Sequence, residues 1–338
     1  LTCFEEVKQE VVDSEAPAAQ SSQPQSKQAA RKFVIFLDLF NTSQPEYLNI
    51  QPKLVEFLDQ VSSGGFELMI AGVTAQGKLG VMQQFSRDTN RAKAVLKHLQ
   101  ANAGRDKHIL QNERDLLDVV DSSPEGITTA FGLAKTYSRQ ERQLSQFSLD
   151  ALKSFSGYIA ELKTQEHLII LVVSGGFDSD PGRRYYDLLY RITGGEPNPV
   201  TMPESIRDAD FSILNEVKST IGRLNRSNIT AYAINTRGAY VGGFDPSRGD
   251  SRLSSNDPTL LQDYQDSIAR IATETGGVFF QNSTNFKRGF DKILDDLENQ
   301  YLVCYTAPSH KKPGEYHNIK VVVKREGVKL RHRQGYLD

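Results

Sequence analysis

Oxygen-bearing side chains gather where two short apolar runs end. FVIFL leads into Asp38-Leu39-Phe40-Asn41-Thr42-Ser43, and LIILVV leads into Ser174-Gly175-Gly176-Phe177-Asp178-Ser179-Asp180. A third polar element, Gly126-Ile127-Thr128-Thr129, opens a helical pattern that continues through Ala130–Lys135. Carboxylate and hydroxyl oxygens suit a hard cation such as Mg²⁺. A glycine-containing loop after a strand can instead cradle phosphate with its backbone N–H groups. Ser/His/Asp catalysis would need an exposed nucleophile turn such as G-x-S-x-G, and the sequence contains none. The six histidines show no paired metal spacing; His167, at the start of a buried strand, reads as a satisfied edge residue.

The elements that would position these residues alternate in kind. Phe33–Leu39, Phe66–Val73, His167–Val173, Ile229–Asn235 and Gly277–Phe280 are short and almost continuously apolar. Strands covered on both faces have this character, and parallel sheets are covered on both faces. Amphipathic helices are expected over 149–162, 213–224, 259–274 and 286–297, each with an apolar stripe at helical spacing. The turn Gln76-Gly77-Lys78 before LGVMQQF predicts a hairpin strand at a sheet edge. Repeated strand–helix alternation predicts a doubly wound α/β fold with a mostly parallel sheet. In such sheets ligands lie beyond the carboxyl ends of the strands, where both polar clusters fall.

After Gln300 the pattern changes. YLVCYTA, HNIKVVVK and VKLRHRQGY read as three strands without helices between them, an antiparallel β extension. Ahead of the first core strand, residues 8–30 are rich in Gln, Ser, Ala and Pro and read as a linker. The short LTCFEEV before it could be the last strand of something upstream, and the opening Leu1 suggests a processed product or fragment. The expected division is a lead-in and linker over 1–31, an α/β domain over 32–300 and a β extension over 301–338 packed on it. Composition narrows the function. Forty Lys and Arg against 42 Asp and Glu give a net charge of −2, which argues against a nucleic-acid binder. No apolar run is long enough for a membrane span. Two cysteines, Cys3 and Cys304, make neither a disulfide framework nor a zinc site, and a bridge between them requires the lead-in to fold back onto the tail.

The order of elements resembles a von Willebrand factor type A domain. The tail NQYLVCYTAP…GEYHNIKVVVKREGVKLRHRQGY resembles the C-terminal segment of the bacterial family named acidobacterial VWFA-related domain. The lead-in FEEVKQEVV, the Pro/Ala/Gln linker and FVIFLDLFNTS are similar to how that family enters its first strand, so the match runs from Phe4 to Tyr336. The resemblance implies a metal-ion-dependent adhesion site, built from D-x-S-x-S after the first strand, a Thr in a following loop and an Asp after the fourth long strand. Carried over, Asp38 matches the first Asp and Thr42 the second Ser, with Thr128 as the loop Thr and Thr129 as an alternative register. Phe40 replaces the first Ser, and Gly175 stands where the last Asp belongs, with Asp178 as a substitute. The metal set would be Asp38, Thr42, Thr128 and Asp178. With two of five ligands missing, the favoured expectation is a degenerate pocket in which Asp38 serves neighbouring backbone N–H groups. The resemblance further implies a non-enzymatic interaction or adhesion module of an exported bacterial protein, extracellular or periplasmic. Its partner would be a protein, with no nucleic acid and no membrane span.

On this reading the partner-binding rim comprises Asp38, Asn41, Thr42, Thr128, Ser174 and Asp178, with Tyr185 and Tyr186 from the aromatic insert after Asp178. Those tyrosines could equally pack a short helix, Arg183–Ile192, over the sheet edge. The alternative function is a nucleotide-dependent enzyme. Ser174–Ser179 fits S-G-G-x-D-S, the phosphate loop of ATP pyrophosphatases, although Pro181-Gly182 follows where that family needs an unbroken helix. Arg248-Gly249-Asp250 spells an integrin-recognition tripeptide and reads as coincidence.

Overall fold

The computed structural model describes residues 3–7, 32–63, 65–102, 105–123, 125–162, 167–194, 212–237, 258–281, 286–298, 300–304, 316–325, 327 and 330–337. The Arg248–Asp250 tripeptide lies outside them. The elements in order are β1 (Cys3–Val7), β2 (Lys32–Asp38), α1 (Gln44–Ser63), β3 (Glu67–Val73), β4 (Leu79–Ser86), α2 (Thr89–His98) and α3 (Arg105–Ser122). They continue with α4 (Gly126–Glu161), β5 (Leu168–Ser174), α5 (Arg183–Ile192), α6 (Leu214–Arg226), β6 (Ile229–Asn235), α7 (Pro258–Glu274), β7 (Phe279–Phe280) and α8 (Phe286–Glu298). Last come β8 (Gln300–Cys304), β9 (Tyr316–Asn318) and β10 (Gly335–Leu337).

Six strands form one sheet in the order β4-β3-β2-β5-β6-β7, parallel throughout except for the antiparallel edge strand β4. This is the doubly wound α/β fold expected from the sequence. Successive side chains of a strand point to opposite faces. Phe33, Ile35 and Leu37 therefore pack against α1, α2 and α8, through residues such as Ile50, Phe57, Leu96 and Phe290. Val34 and Phe36 pack on the other face against Leu152, Phe155, Val217 and Ile268 of α4, α6 and α7. Covering both faces is what keeps the strands apolar along their whole length.

Helix α4 departs from expectation. Gly126–Lys135 and 149–162 were expected as separate helical segments; the chain instead runs through both as one helix of 36 residues. No Gly or Pro interrupts Thr136–Ser148, and the buried positions keep helical spacing through Ser138, Glu141, Ser145 and Ser148. Polar residues fill the buried stripe there, so apolar periodicity fades although the helix does not. The outer half of α4 joins α3 and α5 in a separate cluster around Leu116, Ala130, Tyr185 and Leu189.

The tail also departs in part. β8 pairs antiparallel with β1, and β9 with β10, so the lead-in does return to the tail. Among the described residues 319–325 carry no ladder, and Val322 is 73% exposed. The segment before β10 is tied to the body: Arg333 donates from Nη1 to the carbonyl of Asn225 (3.0 Å) and from Nη2 to Asn228 Oδ1, while Asn225 Nδ2 donates to the carbonyl of Gly335 (2.8 Å). No helix among the described residues is long and apolar enough to cross a membrane.

His167 precedes β5, partly buried, with Nε2 2.9 Å from Thr230 Oγ1. Burial of the ring, reinforced by the Arg333 charge, pushes its pKa down to about 4. The unfolded chain therefore binds the extra proton first as pH falls, and stability declines between about pH 6.5 and pH 4, levelling off below. The expected loss is on the order of 2–3 kcal/mol. His167→Gln keeps a hydrogen-bonding group without the titration. The difference between its urea-unfolding free energy and the wild type's, followed from pH 7 to pH 4, should carry that slope; a pH-independent difference would refute it.

Candidate functional site at the strand carboxyl ends

β2 and β5 are neighbours, yet their onward connections diverge, β2 toward β3 and β5 toward β6. Such a switch point opens a crevice at the carboxyl ends of the two strands. Here Asp38 closes β2, Ser174 closes β5, and Ser174 stands opposite Asn235 at the end of β6. The chain leaves β2 through a tight turn and enters α1 by a capping box. Ser43 N donates to Glu46 Oε2 (2.8 Å) and Glu46 N donates to Ser43 Oγ (3.4 Å).

Asp38 lies at the centre of a closed hydrogen-bond cluster. Oδ1 accepts from the backbone N–H of Asn41 (3.1 Å). Oδ2 accepts from Asn41 Nδ2 (2.8 Å), Ser148 Oγ (2.9 Å) and Ser174 Oγ (2.8 Å). Ser148 Oγ in turn accepts from Asn41 Nδ2 at 2.6 Å, and Ser174 Oγ accepts from the N–H of Gly176 at 2.9 Å. The site joins β2, the turn after it, the middle of α4 and the end of β5. Asp38, Thr42, Ser148 and Ser174 are each no more than 2% exposed. A carboxylate held by four donors at a buried switch point binds structural elements together.

The structure accounts for each departure from the metal-site pattern. Phe40 occupies its position because the space is apolar: its ring meets Phe147 edge-on with centroids 5.3 Å apart. A Cβ at Gly175 would lie 2.2 Å from the carbonyl oxygen of Asn41, so no side chain fits there. Asp178 turns away from Asp38. Its Oδ1 accepts from the N–H of Asp180 (2.9 Å), and its Oδ2 pairs with Arg184 Nη2 (3.3 Å) in a buried ion pair. Arg184 also donates to the Tyr264 hydroxyl (2.8 Å), and the Tyr264 ring lies near both the Arg184 and Arg237 guanidinium groups. Burial alone would pull Arg184 toward the neutral form; Tyr264, Asp178, Glu113 and Glu141 outweigh it and hold the guanidinium above its usual pKa.

Thr128 is a correction. It lies exposed in the first turn of α4, twenty residues before Ser148, and at 1.5 Å per residue that is about 30 Å along the helix. The hydroxyl that α4 brings to Asp38 is that of Ser148. Its one sequence signal is its position directly before the apolar stripe that starts at Leu149. For Tyr185 and Tyr186 the structure matches the packing alternative and not the contact surface. α5 turns them inward, 0% and 4% exposed, where Tyr185 accepts from Asn112 Nδ2 (3.0 Å) and Tyr186 stacks near Phe131. Of the expected rim, the structure gathers Asp38, Asn41 and Ser174 into one bonded cluster, with Thr42 buried in the same turn.

These residues do not fit the divalent ion that the family pattern implies. Asn41 Oδ1 and Thr42 Oγ1 are buried without a hydrogen-bond partner, the kind of oxygen a hard cation would use. Against this, Asp38 Oδ2 is saturated, position 40 holds a phenyl ring, position 175 is filled by backbone and Asp178 is bound to Arg184. Among the described residues no group of three His, Cys, Asp or Glu is placed to hold an ion. Replacing an unpartnered buried hydroxyl by a methyl removes a desolvation cost and no bond. Thr42→Val should thus leave stability unchanged or raise it by up to about 1 kcal/mol. A loss of stability in chemical denaturation, made larger by added Mg²⁺, would reverse this conclusion.

The phosphate-loop alternative meets a similar obstacle. The N–H groups of Gly176, Phe177 and Asp180 are bonded to Ser174 Oγ, the Tyr264 carbonyl and Asp178 Oδ1, and residues 174–178 are buried. An anion would have to displace these internal acceptors.

No protein-family model matches the chain, and no curated protein does. Solved structures do show similarities. The pilus adhesin SpaC from Lactobacillus rhamnosus GG, in its open conformation, matches at 10% identity over 79% of this chain and 30% of its own, with a TM-score of 0.41. Three N-terminal domains of the type V pili tip protein Mfa5 from Porphyromonas gingivalis match at 12% identity over 80% of this chain and 49% of theirs, TM-score 0.39. The chain thus spans less than half of either structure. The vWF domain of Mfa5 alone matches at 13% identity over 79% of this chain and 95% of its own, TM-score 0.34. At these scores the likeness assigns neither an activity nor a family to the chain.

Proposed function

We propose that the chain is a non-enzymatic protein-interaction module of adhesin type, in an exported protein, whose α/β domain (32–300) docks a protein partner at the carboxyl edge of the sheet without a bridging metal. The β extension (301–338) and the lead-in (1–31) are accessory to it. The single observation that carries the reading is the Asp38 cluster. At the switch point, where α/β sheets place their ligands, the crevice is locked by internal hydrogen bonds, which leaves the surrounding surface for recognition. The export setting follows from the family that the sequence resembles. Groups available around the edge include Leu48 of α1 (54% exposed) and Arg183 at the start of α5.

The test is biolayer interferometry of the immobilised chain against a panel of purified host-surface and bacterial-surface proteins. Saturable binding that survives EDTA and falls at least tenfold in Leu48→Glu/Arg183→Glu is the expected result. Binding that EDTA abolishes would overturn the metal-free part of the reading. ATP-dependent thermal stabilisation of the chain, lost in Ser174→Ala, would favour the nucleotide enzyme instead.

A further inference from the structure

The chain has two cysteines, and the fold sets them opposite one another. β1 pairs with β8 in the register Cys3↔Cys304, Phe4↔Val303, Glu5↔Leu302, Glu6↔Tyr301 and Val7↔Gln300. We propose that Cys3 and Cys304 form an intramolecular disulfide that staples β1 to β8. Directly opposed residues of an antiparallel pair lie about 4.5–5.5 Å apart at Cα and share one face of the ribbon. Disulfides span Cα separations of roughly 4.4–6.8 Å, a range that includes the spacing of an opposed pair.

Position gives the bond a purpose. Cys3 is the first residue of β1 and Cys304 the last of β8, so the cross-link sits at the open end of a five-residue ladder. Among the described residues this ribbon is not hydrogen-bonded into the six-stranded sheet, and an isolated two-stranded pair is marginally stable. The linkage also closes a ring of about 300 residues, from 3 to 304, around the whole α/β unit.

Formation proceeds by thiol–disulfide exchange with a small-molecule or protein disulfide. One cysteine thiolate attacks the donor's S–S bond, forming a mixed disulfide and releasing one donor thiolate. The second cysteine thiolate then displaces the other donor sulfur. The two cysteines lose two protons and two electrons, and the donor leaves as two thiols. The bond persists in an oxidising compartment and stays open in a reducing one. The inference does not depend on the partner-binding reading, and its test measures no binding.

The full-length folded chain is incubated with oxidised glutathione, acid-quenched, denatured and alkylated. The expected product is a monomer two hydrogens lighter than the reduced chain, with no titratable thiol and one proteolytic peptide pair joining Cys3 to Cys304. It should migrate faster than the reduced chain on a denaturing gel, because the ring is more compact. Cys3→Ser and Cys304→Ser should each show one thiol and lose the shift. Two free or glutathione-capped cysteines in the folded wild type, or a disulfide-linked dimer, would overturn the proposal; the wild-type mass alone decides it should either serine variant fail to fold.

Discussion

Gly175→Asp, which restores the carboxylate that the family pattern places after the fourth long strand, should cost about 3–5 kcal/mol and yield no Mg²⁺ binding. The new Cβ would lie 2.2 Å from the carbonyl oxygen of Asn41 and 3.3 Å from the Arg237 guanidinium nitrogen. Backbone must move to make room, and the turn that moves contains Asn41, which supplies two of the four hydrogen bonds to Asp38. Overpacking against a backbone atom has no rotamer escape, so the penalty falls on the cluster itself. For a chain of this size a loss of this magnitude corresponds to a Tm lower by roughly 10 °C. Gly175→Ala carries the same Cβ without the charge and should show most of the deficit. Wild-type Tm in either variant, or a stoichiometric Mg²⁺ heat in Gly175→Asp by calorimetry, would show that the site can be rebuilt and that the closed geometry described here is wrong.

Removal of Arg184 is the second large effect. The Arg184–Asp178 pair is buried on both sides, with side chains 7% and 8% exposed. Arg184→Met deletes the guanidinium that offsets Asp178 and faces Glu113 and Glu141, and it deletes the bond to Tyr264. Breaking one side of a buried pair typically costs about 3–5 kcal/mol, because the remaining charge is left without compensation. Asp178→Leu alone leaves the arginine its bond to Tyr264 and the charges of Glu113 and Glu141, and should cost less. The double variant should recover much of the loss, with a coupling energy of about 2–4 kcal/mol in a double-mutant cycle read by urea denaturation. Strict additivity of the two single losses would mean that the pair contributes nothing as a pair.

Much of the fold is written in local pattern. β2, β3, β5 and β6 are legible because a parallel sheet covered on both faces needs apolar runs of about seven residues, a signal that survives without knowledge of partners. The hairpin strand β4 and the helix Arg183–Ile192 are legible for the same reason, through a turn at Gly77 and a strong amphipathic stripe. What local pattern misses is long-range or polar. The middle of α4 buries Ser138, Glu141, Ser145 and Ser148, so its inward face looks outward by composition. The partner of β8 is a strand some 300 residues earlier, which no window along the chain can reveal. At the site, Asp38 and Ser174 are legible because both end apolar strands at the carboxyl edge. Ser148 is not, because it lies 110 residues from Asp38 in the interior of a helix. The tyrosines of α5 are ambiguous for a related reason: three in one short helix fit a contact surface or a packed face, and only the satellite cluster with α3 and α4 decides for packing.

The length of α4 makes it a mechanical element. At 1.5 Å per residue its 36 residues extend about 54 Å, more than twice the span of a seven-residue strand of the sheet beneath it. Its inner half lies on the sheet through Leu149, Leu152 and Phe155, and its outer half carries α3 and α5 beyond. Gly182, with φ of +86°, lets the chain approach so closely that Ser138 Oγ donates to its carbonyl at 2.9 Å, clamping α5 onto the shaft. Ser148 stands near the fulcrum. A pivot of about 5° there would carry the outer end, about 33 Å away, through some 3 Å. Ser148 itself would barely shift against Asp38, so the hydrogen bonds at Asp38 would tolerate such a tilt.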